Sequence, residues 1–438
     1  MKAVRTLVVA AVVLSLSVGS ISASQVGLSV EMSNPVLKAL KKQTTFLKVG
    51  LTGFKMQSRA ERAPVNISLV LDKSGSMKGS PMEEARSGAI EAIRRLGPND
   101  IVSVITYDST VHVLVPATKL TDKDTVCRQI SQIRAGGGTA LFAGVSKGAA
   151  EIRKFADRNY VNRVILLSDG KANIGPSSPS ELGNLGASFK KENMTVSTMG
   201  LGPGYNEDLM LMLASRSGGN HIFIEDTAQL AGIFHEEFKT VLSVVAQEVS
   251  VAIDVSKAVR PIRVLGREAE INGQQVITQL SQIYSEQEQY VVLEVEVPAT
   301  SAGKATQVAS VSVTYGNMLT QATDRLAGTA SVNFSDNATE IAEKTNRDVL
   351  EVSILLLANE RNKMATAMFD TGKIEEAKKC LEDNASFLSF YATQLDSEDL
   401  KESSSFNARQ ALELKAAPNT YRKRARSNQF KVEQQRAY

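Results

Sequence analysis

Between Val65 and about Ala246, short apolar runs alternate with stretches in which apolar residues recur at helical spacing. The runs predict strands at Asn66 to Asp72, Ile101 to Tyr107, Val111 to Ala117, Arg163 to Ser168, Thr195 to Gly200 and His221 to Glu225. The amphipathic stretches predict helices over Met82 to Leu96, Asp124 to Ile133, Leu141 to Phe155, Glu181 to Glu192, Glu207 to Ala214 and Ala228 to Val245. This order is that of an α/β domain, residues 61–247, built on a doubly wound, mostly parallel sheet. In such sheets ligands bind beyond the carboxyl ends of the strands.

On either side the apolar period changes to two. Val251, Ile253 and Val255 alternate with polar residues, as do Val311, Val313 and Tyr315, and then Ala330, Val332 and Phe334. Gly27 to Glu31 and Thr45 to Leu51 also read as strands. Because an isolated strand pair is marginal in water, residues 25–60 are expected to join residues 248–336 in one β-sandwich, with the α/β domain inserted between them. Helical spacing returns over residues 337–415. Ala338 to Phe369 and Ile374 to Leu395 flank the compact turn Asp370-Thr371-Gly372-Lys373 and predict a helical hairpin, and a third helix is predicted from Ser397 to about Lys415. Residues 416–438 set Arg422, Lys423, Arg424, Arg426, Lys431 and Arg436 against Glu433 alone, which reads as a flexible basic tail.

Length adds that 438 residues suffice for two or three domains with proper cores. Lys2 and Arg5, the apolar run Thr6 to Val18 and the small residues Ser22-Ala23-Ser24 predict a cleaved signal peptide over residues 1–24, and so a secreted or periplasmic protein. That run is too short to span a bilayer, and no later stretch approaches the needed length. Without Lys2 and Arg5 the formal charge falls from +3 to +1, so nothing in the charge calls for a nucleic-acid partner. Cys127 and Cys380 fall in different predicted domains; two unpaired thiols is the simpler reading, although secretion would permit their pairing.

The candidate chemistry sits at the end of the first α/β strand. Asp72, Ser74 and Ser76 occupy every second position, so in extended backbone their oxygens face one way. Gly136-Gly137-Gly138-Thr139 adds a close-approaching backbone and a hydroxyl, and Val164 to Ser168 is a second apolar strand that runs into Asp169. Oxygen donors of this kind suit a hard divalent cation: Mg²⁺, with Mn²⁺ or Ca²⁺ as alternatives. Asp72, Ser74, Ser76, Thr139 and Asp169 together resemble the metal-ion-dependent adhesion site of the von Willebrand factor type A family, in order and in strand context. The resemblance implies a Rossmann-like domain in which Ser74, Ser76 and Thr139 coordinate directly and Asp72 and Asp169 act largely through water. It extends over residues 66 to 245, including Gly200-Leu201-Gly202 before Asn206-Glu207-Asp208-Leu209, and the flanks are similar to those of bacterial secreted or periplasmic members.

Other chemistries fail on their residues. Gly200-Leu201-Gly202-Pro203-Gly204 lacks dinucleotide-binding spacing, the triple glycine before Thr139 has no phosphate-binding Lys, and His235-Glu236-Glu237-Phe238 continues with Lys239 where a zinc protease needs its second His. His112, His221 and His235 are the only histidines, and no nucleophile stands with a base. Two functions from different classes stay open. A binding module would use the cation to take a partner's Asp or Glu carboxylate; a Mg²⁺-dependent hydrolase would use it to polarise substrate or activate water. Two carboxylates among neutral hydroxyls, with no added general base, favour the non-enzymatic binding module. A scaffold with a purely structural metal is the remaining alternative.

Overall fold

The computed structural model describes residues 25–56 and 62–435; the expected signal peptide, residues 1–24, lies outside them. The chain opens with strands β1 (Val26–Met32), β2 (Val36–Lys38) and β3 (Gln43–Gly53). The α/β part follows as β4 (Val65–Asp72), α1 (Ser80–Arg95), β5 (Ile101–Tyr107), β6 (Val111–Lys119), α2 (Lys123–Ser131), α3 (Leu141–Arg153), β7 (Val161–Ser168), α4 (Pro179–Lys191), β8 (Met194–Leu201), α5 (Glu207–Ser217), β9 (His221–Ile224) and α6 (Leu230–Val241). Strands resume as β10 (Val244–Val255), β11 (Arg260–Leu265), β12 (Glu270–Asn272), β13 (Gln275–Tyr284), β14 (Glu288–Val297), β15 (Ala305–Asn317) and β16 (Thr323–Ser335). Helices α7 (Ala338–Glu343), α8 (Arg347–Asp370), α9 (Ile374–Leu395), α10 (Glu398–Ala416) and α11 (Pro418–Gln434) complete it.

The α/β sheet runs in the order β6-β5-β4-β7-β8-β9, all parallel except for β6 at one edge. Its central strands are buried along their whole length, which is why they read as unbroken apolar runs. One face packs on α1, α2 and α6 through Ile67, Leu69, Ala89, Ile93 and Phe234; the other packs on α3, α4 and α5 through Val70, Val145, Leu182 and Leu213. Parallel register pairs Asp72 with Tyr107 on one side and Leu71 with Leu167 on the other, so the loops after β4 and β7 leave the sheet side by side.

The remaining strands form two sheets, β1-β3-β14-β11 and β12-β13-β10-β15-β16-β2, which bury Leu47, Val49, Val251, Ile253, Val291, Val313 and Val332 between them. β3 lies between β1 and β14, so residues from before and after the α/β part share one sheet. The chain leaves the sandwich after β3 and returns at β10, and the two crossings touch. A Cβ on Gly53 would lie 2.9 Å from the Val245 side chain of β10 and 2.1 Å from the Tyr284 carbonyl oxygen at the end of β13, so no larger residue fits there.

Three expected elements differ. The helix expected from Ala228 to Val245 ends at Val241, and Val244 already belongs to β10. Val244, Val245 and Ala246 bury their side chains in strand conformation, and burial in the sheet overrides the helical spacing. The basic tail is not loose: residues 418–434 are helix α11, with Tyr421 and Phe430 buried and Lys423 only 4% exposed. Arg422 pairs with Glu207, Asp208 and Asp370, and Arg424 with Glu225, all distant in sequence, while Arg424 also reaches Glu413 on the preceding helix. The single helix expected from Ala338 to Phe369 is likewise broken into α7 and α8, where Asn346 caps α8 by accepting from Val349 N–H.

Candidate metal site

The loop after β4 is shaped by its own side chains. Asp72 is buried, and its Oδ1 accepts from the Ser74 backbone N–H at 2.8 Å, which bends the chain and turns the next two serines back over the strand end. Ser74 Oγ lies 3.2 Å from Ser76 Oγ, and Ser76 Oγ donates to Asp169 Oδ1 at 2.7 Å. Thr139 comes from the glycine loop. Gly75 N–H donates to the Gly137 carbonyl at 3.0 Å and Gly136 N–H to the Lys73 carbonyl at 2.7 Å, which fastens the two loops together. A Cβ on Gly170 would lie 3.3 Å from Thr139 Oγ1 and 3.6 Å from Ser76 Oγ, so both hydroxyls border the same small space. The structure thus brings Asp72, Ser74, Ser76, Thr139 and Asp169 to one point at the carboxyl edge of the sheet. Asp72, Ser74 and Thr139 form a buried floor, and Ser76 is exposed above them.

Electrostatics at this point favour a cation. The Asp169 carboxyl is pushed up to about 6, by burial first; the Ser76 hydrogen bond opposes this and the Asp72 charge adds to it. Burial likewise raises Asp72, against hydrogen bonds from Ser74 and Ser168. A buried carboxylate beside a half-buried one without a counter-charge is costly, and a divalent cation among neutral hydroxyls would relieve both. The donor set therefore fits a hard cation such as Mg²⁺. Among the described residues no three His, Cys, Asp or Glu side chains are placed to share a metal, so the candidate donor set includes the hydroxyls.

Several supporting residues were not singled out in the sequence. Ser168 Oγ donates to Asp72 Oδ2 at 2.7 Å; Tyr107 OH donates to the Leu167 carbonyl at 3.0 Å, and burial pushes its phenol well up. Asn173 Oδ1 accepts from Thr139 N–H at 2.9 Å, and Lys73 pairs with Asp108 beside the glycine loop. The loop around Gly204 reaches the site as well: a Cβ on Gly204 would lie 2.7 Å from the Asp169 carbonyl oxygen. The histidines do not converge here. His221 is buried, with Nδ1 2.9 Å from Thr198 Oγ1, and His112 and His235 stand elsewhere on the surface. Cys127 and Cys380 are both free thiols. No helix among the described residues is long and apolar enough to cross a membrane.

Known proteins share the fold that carries these loops. Residues 66–236 match the model of the von Willebrand factor type A domain. The protein sll0103 of Synechocystis is 30% identical over 191 residues, 43% of this chain and 44% of that protein, so this chain spans less than half of that relative's length. Among solved structures, the von Willebrand factor type A protein from Catenulispora acidiphila superposes with a TM-score of 0.69 at 16% identity, covering 94% of this chain and 97% of that one. The ArnB paralog VWA2 from Sulfolobus acidocaldarius gives 0.61 at 17% identity, covering 94% and 99%. Both cover the sandwich and helices as well as the α/β domain, so the whole architecture is a shared fold. Domains of this kind are generally protein-interaction modules, some of them metal-dependent.

Proposed function

A von Willebrand factor type A domain occupies residues 66–236 of this chain, and from that premise we propose that the protein is a metal-dependent binding module acting outside the cytoplasm. Asp72, Ser74, Ser76, Thr139 and Asp169 would hold Mg²⁺, or Mn²⁺ or Ca²⁺ in its place. When bound, the cation supplies a Lewis-acidic position for an anionic ligand, and a partner protein's Asp or Glu carboxylate is the natural one. The chain's own residues prepare that position. Asp72 fixes the serine loop through Ser74 N–H, Ser168 holds Asp72, and Asn173 holds the backbone of Thr139. The observation that carries the reading is the convergence of three hydroxyls and two carboxylates from three separate loops, buried below and open above. We read the role as non-enzymatic because hydroxyls and carboxylates in this arrangement suit holding a cation and the histidines stand elsewhere.

The test is affinity capture from cell-envelope extract in three arms: wild type in Mg²⁺, wild type in chelator, and Asp72→Ala in Mg²⁺. A partner in the first arm only is the expected outcome, because the other arms remove the ion or its holder. Partners held equally in all three would make the sandwich or the helices the binding surface and the metal merely structural. Mg²⁺-dependent peptidase or phosphatase turnover by the pure protein, with no partner captured, would turn the reading to a hydrolase.

A further inference from the structure

A second site lies where the α/β domain, the sandwich and the helices meet. A cleft of about 1060 Å³ opens there, large enough for a small-molecule ligand. The end of α4 contributes Lys190 and Lys191, α5 contributes Arg216, the turn between β11 and β12 contributes Arg267, and α8 contributes Lys363. The acids around it are largely engaged or at the rim. Glu433 pairs with Lys363, Glu360 with Arg263 at 2.6 Å, and Glu268, 88% exposed, with Arg216 at 3.5 Å, while Glu270 is exposed. Among the described residues Lys190, Lys191 and Arg267 make no ion pair.

Arg267 is the anomaly. Its Nη2 is buried with no hydrogen-bond partner, and burial pushes its guanidinium down to about 10. Burial also pushes the Lys190 ammonium down; Glu268 opposes this, and the crowding of Arg267 and Arg216 adds to it. The helix dipole accounts for two lysines in the last turn of α4, but not for an unpaired guanidinium in a turn between strands. Arg267 is half-buried, and its buried Nη2 is a charged donor aimed at no protein acceptor, which fits an anionic ligand in the cleft. Asn359, only 3% exposed, lines the same cleft. Its Nδ2 donates to the Gln429 carbonyl at 3.1 Å, which fixes the amide's orientation and leaves Oδ1 as a buried acceptor without a donor.

We infer that this cleft binds a small oxyanion carrying a hydroxyl or N–H donor, taken by Arg267, Lys190 and Lys191 on one side and by Asn359 on the other. A guanidinium fork matches phosphate and carboxylate oxygens alike, so the anionic head could be either. A ligand there would touch all three parts of the chain at once.

Isothermal titration in metal-free buffer tests the inference with two hydroxylated probes, glucose 6-phosphate for the phosphate head and citrate for the carboxylate head. At least one should bind saturably to wild type, and Arg267→Gln and Lys190→Gln should each weaken it at least tenfold with circular dichroism unchanged. Lys190 lies in the last turn of α4, with its ammonium turned into the cleft and its stem on the surface, so Lys190→Gln keeps the test decisive should Arg267→Gln fail to fold. The same titration on Asp72→Ala should match wild type, which separates this site from the metal site. No saturable binding of either probe, or unchanged binding in both cleft variants, would overturn the assignment.

Discussion

Asp72 is held from two sides, by the Ser74 N–H on Oδ1 and by the Ser168 hydroxyl on Oδ2. Partners one step behind a metal-holding group typically tune metal affinity 10- to 100-fold. Ser168→Ala should therefore weaken Mg²⁺ binding by that order in a calorimetric titration while leaving the apo protein folded; affinity equal to wild type would remove Ser168 from the site. His221 offers a test of a different kind. Burial pushes its imidazole down to about 4 from an ordinary 6.5, with the Glu207 charge opposing and Lys423 adding. A base whose folded pKa lies below its unfolded value binds fewer protons when folded, so stability falls as pH drops from about 6.5 towards 4. The loss is at most roughly 3 kcal/mol. Urea midpoints across that range should fall for wild type and fall less for His221→Asn; parallel slopes would contradict the shift. The candidate donors could be picked out of the chain because alternate spacing in an extended segment is a local signal. Ser168 was hidden at the end of an apolar run, and Tyr107 and Asn173 act through contacts that only the folded sheet creates.

Among the elements, α6 and β10 show where pattern reading fails. Helical spacing continues past Val241, but the next side chains are drawn into the sandwich. The junction is fastened by a buried pair that periodicity cannot reveal. Arg163 on β7 and Glu237 on α6 are both fully buried and 3.0 Å apart, and Arg163 also donates to Ser197 and to Gln282 of β13. Removing one member of such a pair strands the other charge, at a cost of about 3–5 kcal/mol. Glu237→Ala should lower the chemical-denaturation midpoint accordingly, and a change within about 0.5 kcal/mol, as at ordinary surface positions, would refute the pair's structural role. Helix α11 was illegible for a related reason. Its cations look unmatched in the local sequence because Glu207, Asp208 and Glu225 stand some 200 positions away, 215 in the case of the Arg422 to Glu207 contact. Through Lys423, which donates to the Tyr205 carbonyl at 2.8 Å, α11 also braces the loop that abuts Asp169.

At the scale of the whole molecule, the α/β domain is carried by a sandwich that draws strands from both of its flanks, and the helices close over the junction. The alternation of residues 251–334 made the sandwich readable, whereas the packing of α8 to α11 joins small apolar clusters around Leu388 and Leu414 to polar contacts such as Asn384 with Asn407, and those contacts leave no periodic trace. This frame holds the two loops after β4 and β7 in fixed relation, as a site assembled from separate segments requires. The most direct measurement is the unfolding temperature of the full chain, titrated with Mg²⁺ in wild type, Asp72→Ala and Thr139→Ala. Free metal at a hundred times its dissociation constant should stabilise the wild-type domain by about 2.7 kcal/mol, seen as a saturable rise in its melting temperature, and both variants should stay flat. A rise of equal size in the variants, or none in wild type, would contradict a metal held by Asp72 and Thr139.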